Sequence, residues 1–404
     1  PKASLFLASG RVVHEAGGTD AQELAFAAAA AILYARQLVR AGLSMADAWA
    51  GVTLGLSADA RYFDGIAKTR AARAIWARLT AACEVEVPAR IEARASRRML
   101  AAVDPWTNLL RLSAAGFAAG GGGADAVVLE PFTRPLGLPD AFARRQARNT
   151  QLILMEEAAL GRVADPAGGA FALETLTDAL ARRAWTILQA IEAEGGLIAT
   201  LESGRFQAEV AAAREARAVE VARRKAGLIG VSEFPNLDEG AVAVEAVDPA
   251  AFALTVAEPR LPGPDGRCPP LAPGRDAEPF EALRQAALKL EDRAEVFLAT
   301  LGTAKEFSAR AGFARNLAAA GGLRSATGTV DAFRGAVAIL CSSDEVYATE
   351  AAAAAAALKA AGARAVWLAG RPAEPVPDVD GLIYAGCDAL DALARIHATL
   401  EASR

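Results

Sequence analysis

Short apolar runs of strand length alternate with long amphipathic stretches along this chain, and a proline-rich segment breaks the alternation once. A strand that is followed by a helix and then by another strand returns the chain to the same end of the sheet, so the pattern predicts parallel βα units. In the first zone Ser4–Ala8 reads as a strand before a helix from about Asp20 to Ala41, and Val52–Leu56 as a strand before a helix over Phe63–Ala82. Ile91–Ala95 then precedes a helix over Trp106–Ala118, and Ala126–Leu129 precedes the helices Ala141–Leu160 and Glu174–Glu194. That makes roughly four units, whereas a closed barrel of this kind has eight. A parallel sheet left unclosed exposes its edges. The expectation is therefore a partial TIM-type β/α barrel, completed by something outside this sequence.

Residues 233–290 hold much of the proline-rich, irregular sequence, including Leu261–Pro270, and read as a linker. From 291 to 404 the alternation resumes: strands over Ala294–Leu301, Ala336–Cys341, Ala365–Leu368 and Gly381–Tyr384, helices over Lys305–Ala320, Glu345–Ala361 and Ala389–Ala402. This predicts an open, doubly wound, Rossmann-like sheet, which takes ligands at the carboxyl ends of its strands. The predicted division is thus 1–232, 233–290 and 291–404, with an α/β fold throughout.

Composition removes several functions. The alanine runs Ala27–Ala31 and Ala351–Ala357 are too short to span a membrane and read as closely packed helix faces. The first ten residues look like a strand and carry no long apolar region, so no secretory signal is expected. A net charge of −5 argues against a nucleic-acid partner; the basic clusters Arg94, Arg97, Arg98 and Arg223, Arg224, Lys225 read as solvated faces. Cys83, Cys268, Cys341 and Cys387 are widely spaced, which fits reduced thiols in the cytoplasm and offers no zinc site. With only His14 and His397, histidine-rich metal chemistry is excluded.

Several motifs in order resemble one family. Arg148-Asn149-Thr150-Gln151, Glu156-Glu157 and Asp165-Pro166-Ala167-Gly168-Gly169-Ala170-Phe171-Ala172-Leu173-Glu174-Thr175-Leu176-Thr177 resemble segments of the methylmalonyl-CoA mutase barrel. Ala184-Trp185, Ile191–Gly196, Leu228–Val231, and upstream His14–Asp20 and Ala67–Arg73, continue the resemblance. It is dense from about Ser9 to Val231 and weaker but collinear afterwards. The resemblance implies a CoA-threaded barrel, a linker, and a flavodoxin-like cobalamin-binding-type domain. It also implies adenosylcobalamin-dependent interconversion of methylmalonyl-CoA and succinyl-CoA, in which the cofactor supplies the radical chemistry. Some members pair one active chain with a related inactive one.

Measured against that family, the chemical positions are altered. Active chains carry DxHxxG after the first strand of the cobalamin domain, the histidine being the lower cobalt ligand. Here Ala304 stands for the aspartate, Glu306 for the histidine and Ala309 for the glycine. A carboxylate without its orienting partner is a poor substitute for imidazole. Active barrels carry a Tyr-His pair where this chain has Arg11 and Val12, and valine neither donates a hydrogen bond nor moves a proton. His14, placed on an extension of the first strand on the same side as Val12, reads as a structural histidine rather than a shifted catalytic one. Gly123–Val128 keeps no polar constellation, and the family's substrate-binding arginine and tyrosine would fall before Pro1.

Other motifs have plain readings. Gly120–Gly123 reads as a loop and lacks the Lys-Ser/Thr of a P-loop. Asp165-Pro166 with Gly168-Gly169 reads as a turn, Ser342-Ser343-Asp344 after Cys341 as a helix N-cap, and Glu156-Glu157 as divergent neighbours rather than an acid dyad.

The expectation is a small, non-catalytic subunit with no catalytic, cofactor or metal residues of its own. It would stabilise a large catalytic chain that holds adenosylcobalamin and most of the acyl-CoA. The alternatives are an active acyl-CoA mutase that binds cobalamin base-off, and a truncated member serving only as an interaction protein.

Overall fold

A computed structural model describes residues 4–246, 268–291 and 294–402. Contacts divide the chain into two compact units: 1–100, 105–215 and 242–275 in one, 101–104, 216–241 and 276–404 in the other. Leu261–Arg267, in the segment expected to be linker, lies outside the described residues.

The first unit is built on four parallel strands in sequence order: β1 (Phe6–Ser9), β2 (Val52–Ala58), β3 (Ile91–Ala95) and β4 (Ala126–Val128). Ala8, Val52, Leu54, Leu56 and Ile91 face a core built with α2 (Asp20–Arg40), α4 (Tyr62–Ala82) and α7 (Phe171–Ala193). The alanine runs explain how closely these helices pack, since Ala27 to Ala31 are all buried. Strand side chains alternate, which turns Leu7, Ser9, Thr53, Gly55, Ser57, Glu92 and Arg94 to the opposite face. The shorter helices α1 (Arg11–Glu15) and α3 (Met45–Ala50), then α5 (Thr107–Gly121), α6 (Ala141–Leu152) and α8 (Leu197–Glu202), complete this unit. Helix α9 (Arg205–Ala222) follows.

The second unit holds five parallel strands in the order β6-β5-β7-β8-β9: β5 (Glu295–Thr300), β6 (Arg324–Gly328), β7 (Val337–Cys341), β8 (Ala365–Ala369) and β9 (Gly381–Ile383). Its helices are α10 (Glu278–Leu288), α11 (Ala304–Ala320), α12 (Asp344–Ala360) and α13 (Ala389–Glu401). Two apolar clusters show that both faces of this sheet are covered. Val296, Leu298, Ile339 and Trp367 pack with α10, α11 and α13, while Phe297, Ala299, Leu340 and Leu368 pack with α12. Among the described residues no helix is long and apolar enough to cross a membrane.

Four local expectations differ from the structure. Residues 11–15 form the helix α1, not a strand extension, so Val12 is exposed while His14 turns fully inward. Gly120 and Gly121 continue α5, and the chain turns only at Gly123, whose φ is +84°. The helix expected over Ala141–Leu160 ends at Leu152. It passes into a π-helical turn over Ile153–Glu157, and Ala159 then takes a left-handed φ of +53°. Glu278–Leu288, inside the expected linker, is helix α10, which buries Phe280. The Asp165 turn and the Ser343 N-cap are present: the Gly168 amide donates to Asp165 O, and the Val346 amide to Ser343 Oγ. Glu156 and Glu157 are both exposed.

Candidate functional site

At the carboxyl ends of β1, β2 and β3 the first unit buries a charged network. Gly10 lets the chain turn from β1 into α1 directly against α2, since a Cβ there would lie 2.2 Å from the Glu23 carbonyl oxygen. The turn sends His14 inward, where its Nε2 lies 2.9 Å from Ser96 Oγ and its Nδ1 3.3 Å from Glu23 Oε2. Thr19 caps α2 and places Asp20 and Glu23 on its first turn. Lys68 reaches them from α4, its Nζ 3.0 Å from Asp20 Oδ1 and 2.8 Å from Glu23 Oε2. The Ser57 amide donates to the other oxygen of Glu23.

Asp59, just past β2, is held by Arg61 at 3.1 Å and faces Arg98 at 3.6 Å, and Arg61 also bridges to Asp20 at 2.7 Å. Arg98 donates to the carbonyls of His14 and Gly18 at 2.9 and 3.0 Å. Asp20, Glu23 and Asp59 thus face Lys68, Arg61 and Arg98, three charges of each sign.

Burial alone would raise the pKa of all three carboxylates. The attraction of Lys68, joined by Arg61 at Asp20 and Asp59, overcomes burial and holds each below the usual carboxylate range. Burial would likewise lower Lys68, yet Asp20 and Glu23 hold it above its ordinary value. A depressed carboxylate contributes stability that is present above its unfolded pKa and lost as pH falls through the folded one. A raised lysine contributes stability present below about pH 10.4 and lost above it. The first unit should therefore be most stable between about pH 5 and 10 and weaken below about pH 4. Four of the five tryptophans, Trp49, Trp76, Trp106 and Trp185, lie in that unit, so urea midpoints followed by fluorescence across pH check this. A midpoint unchanged from pH 6 to pH 3 would contradict it.

Chemically the network is closed. His14, Asp20 and Glu23 bring ligand atoms within 4.8 Å of one another, as a metal site would. The Lys68 ammonium already stands between the two carboxylates, however, and supplies the positive charge there. The sequence signal for this network lay in phase: Lys68 occupies the same helical stripe as Ala72, Ile75 and Leu79, where an apolar residue would be expected.

Two motifs from the sequence are joined physically. Arg70 of Ala67–Arg73 grips Asp165 at 2.8 Å and Glu174 at 2.8 Å, the two ends of the Asp165–Glu174 motif, and Glu174 also accepts the Gly169 amide.

In the second unit, Glu306 sits on the first turn of α11, after β5. Its carboxylate turns back to accept the amide of Thr303 at 2.6 Å and the Thr303 hydroxyl at 2.8 Å. The amide and then the hydroxyl lower its pKa. Gly302, at φ +73°, makes room, since a Cβ there would stand 2.5 Å from Glu306 Oε2. His397 Nε2 bonds the Gly321 carbonyl at the far end of α11, about 24 Å of helix away. Burial lowers its pKa. At the end of β7, the Tyr347 hydroxyl accepts the Ser342 amide and lies 2.9 Å from the carbonyls of Leu340 and Ala369. Burial pushes the Cys341 thiol up to about 12, which leaves it unreactive.

Parallel α/β units, joined motifs and altered polar positions together define a class, and the comparisons specify it. The family model described as methylmalonyl-CoA mutase matches residues 1–258. The methylmalonyl-CoA mutase small subunit of Streptomyces virginiae is 43% identical over 397 residues, covering 94% of this chain and 62% of that protein. The small subunit from Propionibacterium freudenreichii subsp. shermanii is 38% identical over 404 residues, 95% of this chain and 61% of its own length. The Rhizobium meliloti methylmalonyl-CoA mutase is 31% identical over 255 residues, 62% of this chain and 36% of that protein. The chain belongs to the methylmalonyl-CoA mutase family, a family of isomerases, and the two relatives named small subunit match it over 94% and 95% of its length. It spans about three fifths of the length of those relatives.

Proposed function

We propose that this chain is the non-catalytic subunit of a heterodimeric, adenosylcobalamin-dependent methylmalonyl-CoA mutase in the cytoplasm, where it stabilises a large catalytic chain. In this reading the four-stranded sheet is part of a TIM-type β/α barrel over residues 1–232. The 233–290 segment, read as linker from the sequence, ends in helix α10 of the second unit, and 291–404 is a degenerate cobalamin-binding-type domain. The strand order of the second sheet, 2-1-3-4-5 by its own count, is that of flavodoxin-like folds.

The observation that carries the reading is the state of Glu306. The residue at the expected cobalt-ligand position spends its carboxylate on the backbone and hydroxyl of Thr303. No imidazole can replace it, because the two histidines of the chain are His14, buried in the first unit's network, and His397, at the opposite end of α11. The donor set does not fit cobalamin. The barrel supports the same conclusion, since Arg11 and Val12 occupy the expected Tyr-His positions and Val12 points outward. On this reading the partner chain holds the cofactor and binds most of the acyl-CoA.

Titration of the purified chain with adenosylcobalamin should leave the corrinoid spectrum unchanged, and methylmalonyl-CoA should not turn over. Turnover by the isolated chain with a base-off spectrum would establish instead an active mutase of altered substrate. Failure to co-purify a mutase chain on co-expression would leave only a truncated interaction protein.

A further inference from the structure

In the second unit α11 follows β5 and α12 follows β7, two neighbouring strands, yet the two helices cover opposite faces of the sheet. Helices that part in this way leave a crevice outside the carboxyl ends of the strands, where doubly wound sheets take their ligands. Here side chains of the protein itself bridge that place. Arg310 of α11 reaches across to the start of α12, its Nη1 donating to the Ser342 carbonyl at 2.8 Å and its Nη2 to Asp344 Oδ1 at 2.7 Å. Ser342 Oγ donates to the Leu301 carbonyl at 2.8 Å, which ties the end of β7 to the end of β5.

Tyr347, on the first turn of α12, fills the space beneath the guanidinium. The residue is 3% exposed, and the central carbon of Arg310 stands 5.0 Å from its ring centroid, a cation–π distance. Its hydroxyl lies 2.8 Å from the Ser342 amide and 2.9 Å from the carbonyls of Leu340 and Ala369, so it joins the ends of β7 and β8. Burial pushes that hydroxyl up to about 12, which keeps it protonated and able to donate. The turn after β8 closes on both side chains. A Cβ on Gly370, whose φ is +147°, would stand 2.9 Å from Arg310 Nη1 and 3.3 Å from Tyr347 Cε2. The amide and carbonyls at the strand ends, the groups a ligand in such a crevice would use, are thus met by one phenol under one guanidinium.

We infer that Arg310 and Tyr347 plug the ligand crevice of the second unit, Tyr347 standing where a planar aromatic part of a ligand would lie and Arg310 sealing it from the α11 side. The inference rests on the reading of this domain as degenerate, and it adds to Glu306 a second, steric reason for excluding a ligand.

The test opens the plug in the full chain, with phenol and benzimidazole as probes. Arg310→Ala combined with Tyr347→Ala, its fold checked by circular dichroism, should bind both saturably and gain Tm from each; the parent should bind neither. Phenol only refills the cavity left by the ring. The larger benzimidazole fits only where that cavity opens into a crevice, and its two nitrogens match the Ser342 amide and a strand-end carbonyl. Tyr347→Phe keeps the ring and should bind neither probe. Arg310→Ala alone, a milder change, should speed nitration of Tyr347 by tetranitromethane about 10-fold or more, as the loss of one charge-assisted contact allows. Binding of phenol alone by the double variant, binding of benzimidazole by Tyr347→Phe, or an unchanged nitration rate overturns the plug. Those failures leave the non-catalytic reading standing, whereas corrinoid uptake by the parent would overturn both.

Discussion

Lys68→Met is expected to lower the stability of the first unit by about 3–5 kcal/mol, the range for removing one partner of a buried ion pair. The side chain is 2% exposed and its ammonium serves two carboxylates, Asp20 and Glu23, that are themselves 10% and 0% exposed. Methionine fills the volume but brings no charge, so Asp20 keeps only Arg61 and Glu23 only His14 and the Ser57 amide. Since whole domains are stable by about 5–15 kcal/mol, this is a large fraction. Two further results separate charge from packing. The deficit should shrink toward pH 3, where the stranded carboxylates take up protons. The double variant Glu23→Leu with Lys68→Met should also recover part of it, because removing both partners is less damaging than removing one. Urea denaturation followed by tryptophan fluorescence measures all three, and a single-variant loss below about 1 kcal/mol would show that the network is not needed for stability.

Trp76→Ala should cost about as much, roughly 3–5 kcal/mol, by cavity formation. The indole is 2% exposed between α4 and the sheet. It meets Trp49 edge-on at 5.0 Å and 85°, and donates from Nε1 to the Val87 carbonyl at 2.8 Å. Trp76→Phe keeps most of the apolar area but abandons Val87, so about 1–3 kcal/mol of the loss should remain. Equal stability of the two variants would mean that the hydrogen bond, not the packed ring, dominates.

Much of this fold could be read along the chain because its elements advertise themselves. Ile91–Ala95 alternates apolar Ile91, Ala93 and Ala95 with charged Glu92 and Arg94, the period of a half-buried strand, and its strand limits agree with the sequence reading. α2 and α4 carry long helical stripes and lie within a residue or so of their expected bounds. The misses share a physical cause. β6, Arg324-Ser325-Ala326-Thr327-Gly328, is an edge strand with no residue fully buried, so no apolar run marks it. α1 is five residues long, less than two turns, too short for a periodicity to show. The π-helical turn at Ile153–Glu157 shifts hydrogen bonds from one backbone carbonyl to the next, a change that side-chain pattern does not encode.

The candidate sites divide along the same line. That no histidine stands at the expected ligand position was visible in the string Gly302–Ala309, because chemistry is a property of residue type. That Glu306 closes on Thr303, that Arg70 ties Asp165 to Glu174, and that Lys68 balances Asp20 and Glu23 were not visible, because those partners are 3, 95, 104, 48 and 45 residues apart and only one pair is local.

What the residues determined by themselves was the alternation of parallel βα units and the absence of imidazole where a cobalt ligand is expected. What only the folded chain decided was which charges meet. Hydrophobic period is a local quantity that each segment carries within its own few turns, whereas a salt bridge forms where two distant strand ends come together, and that distance is set by the packing of the whole sheet.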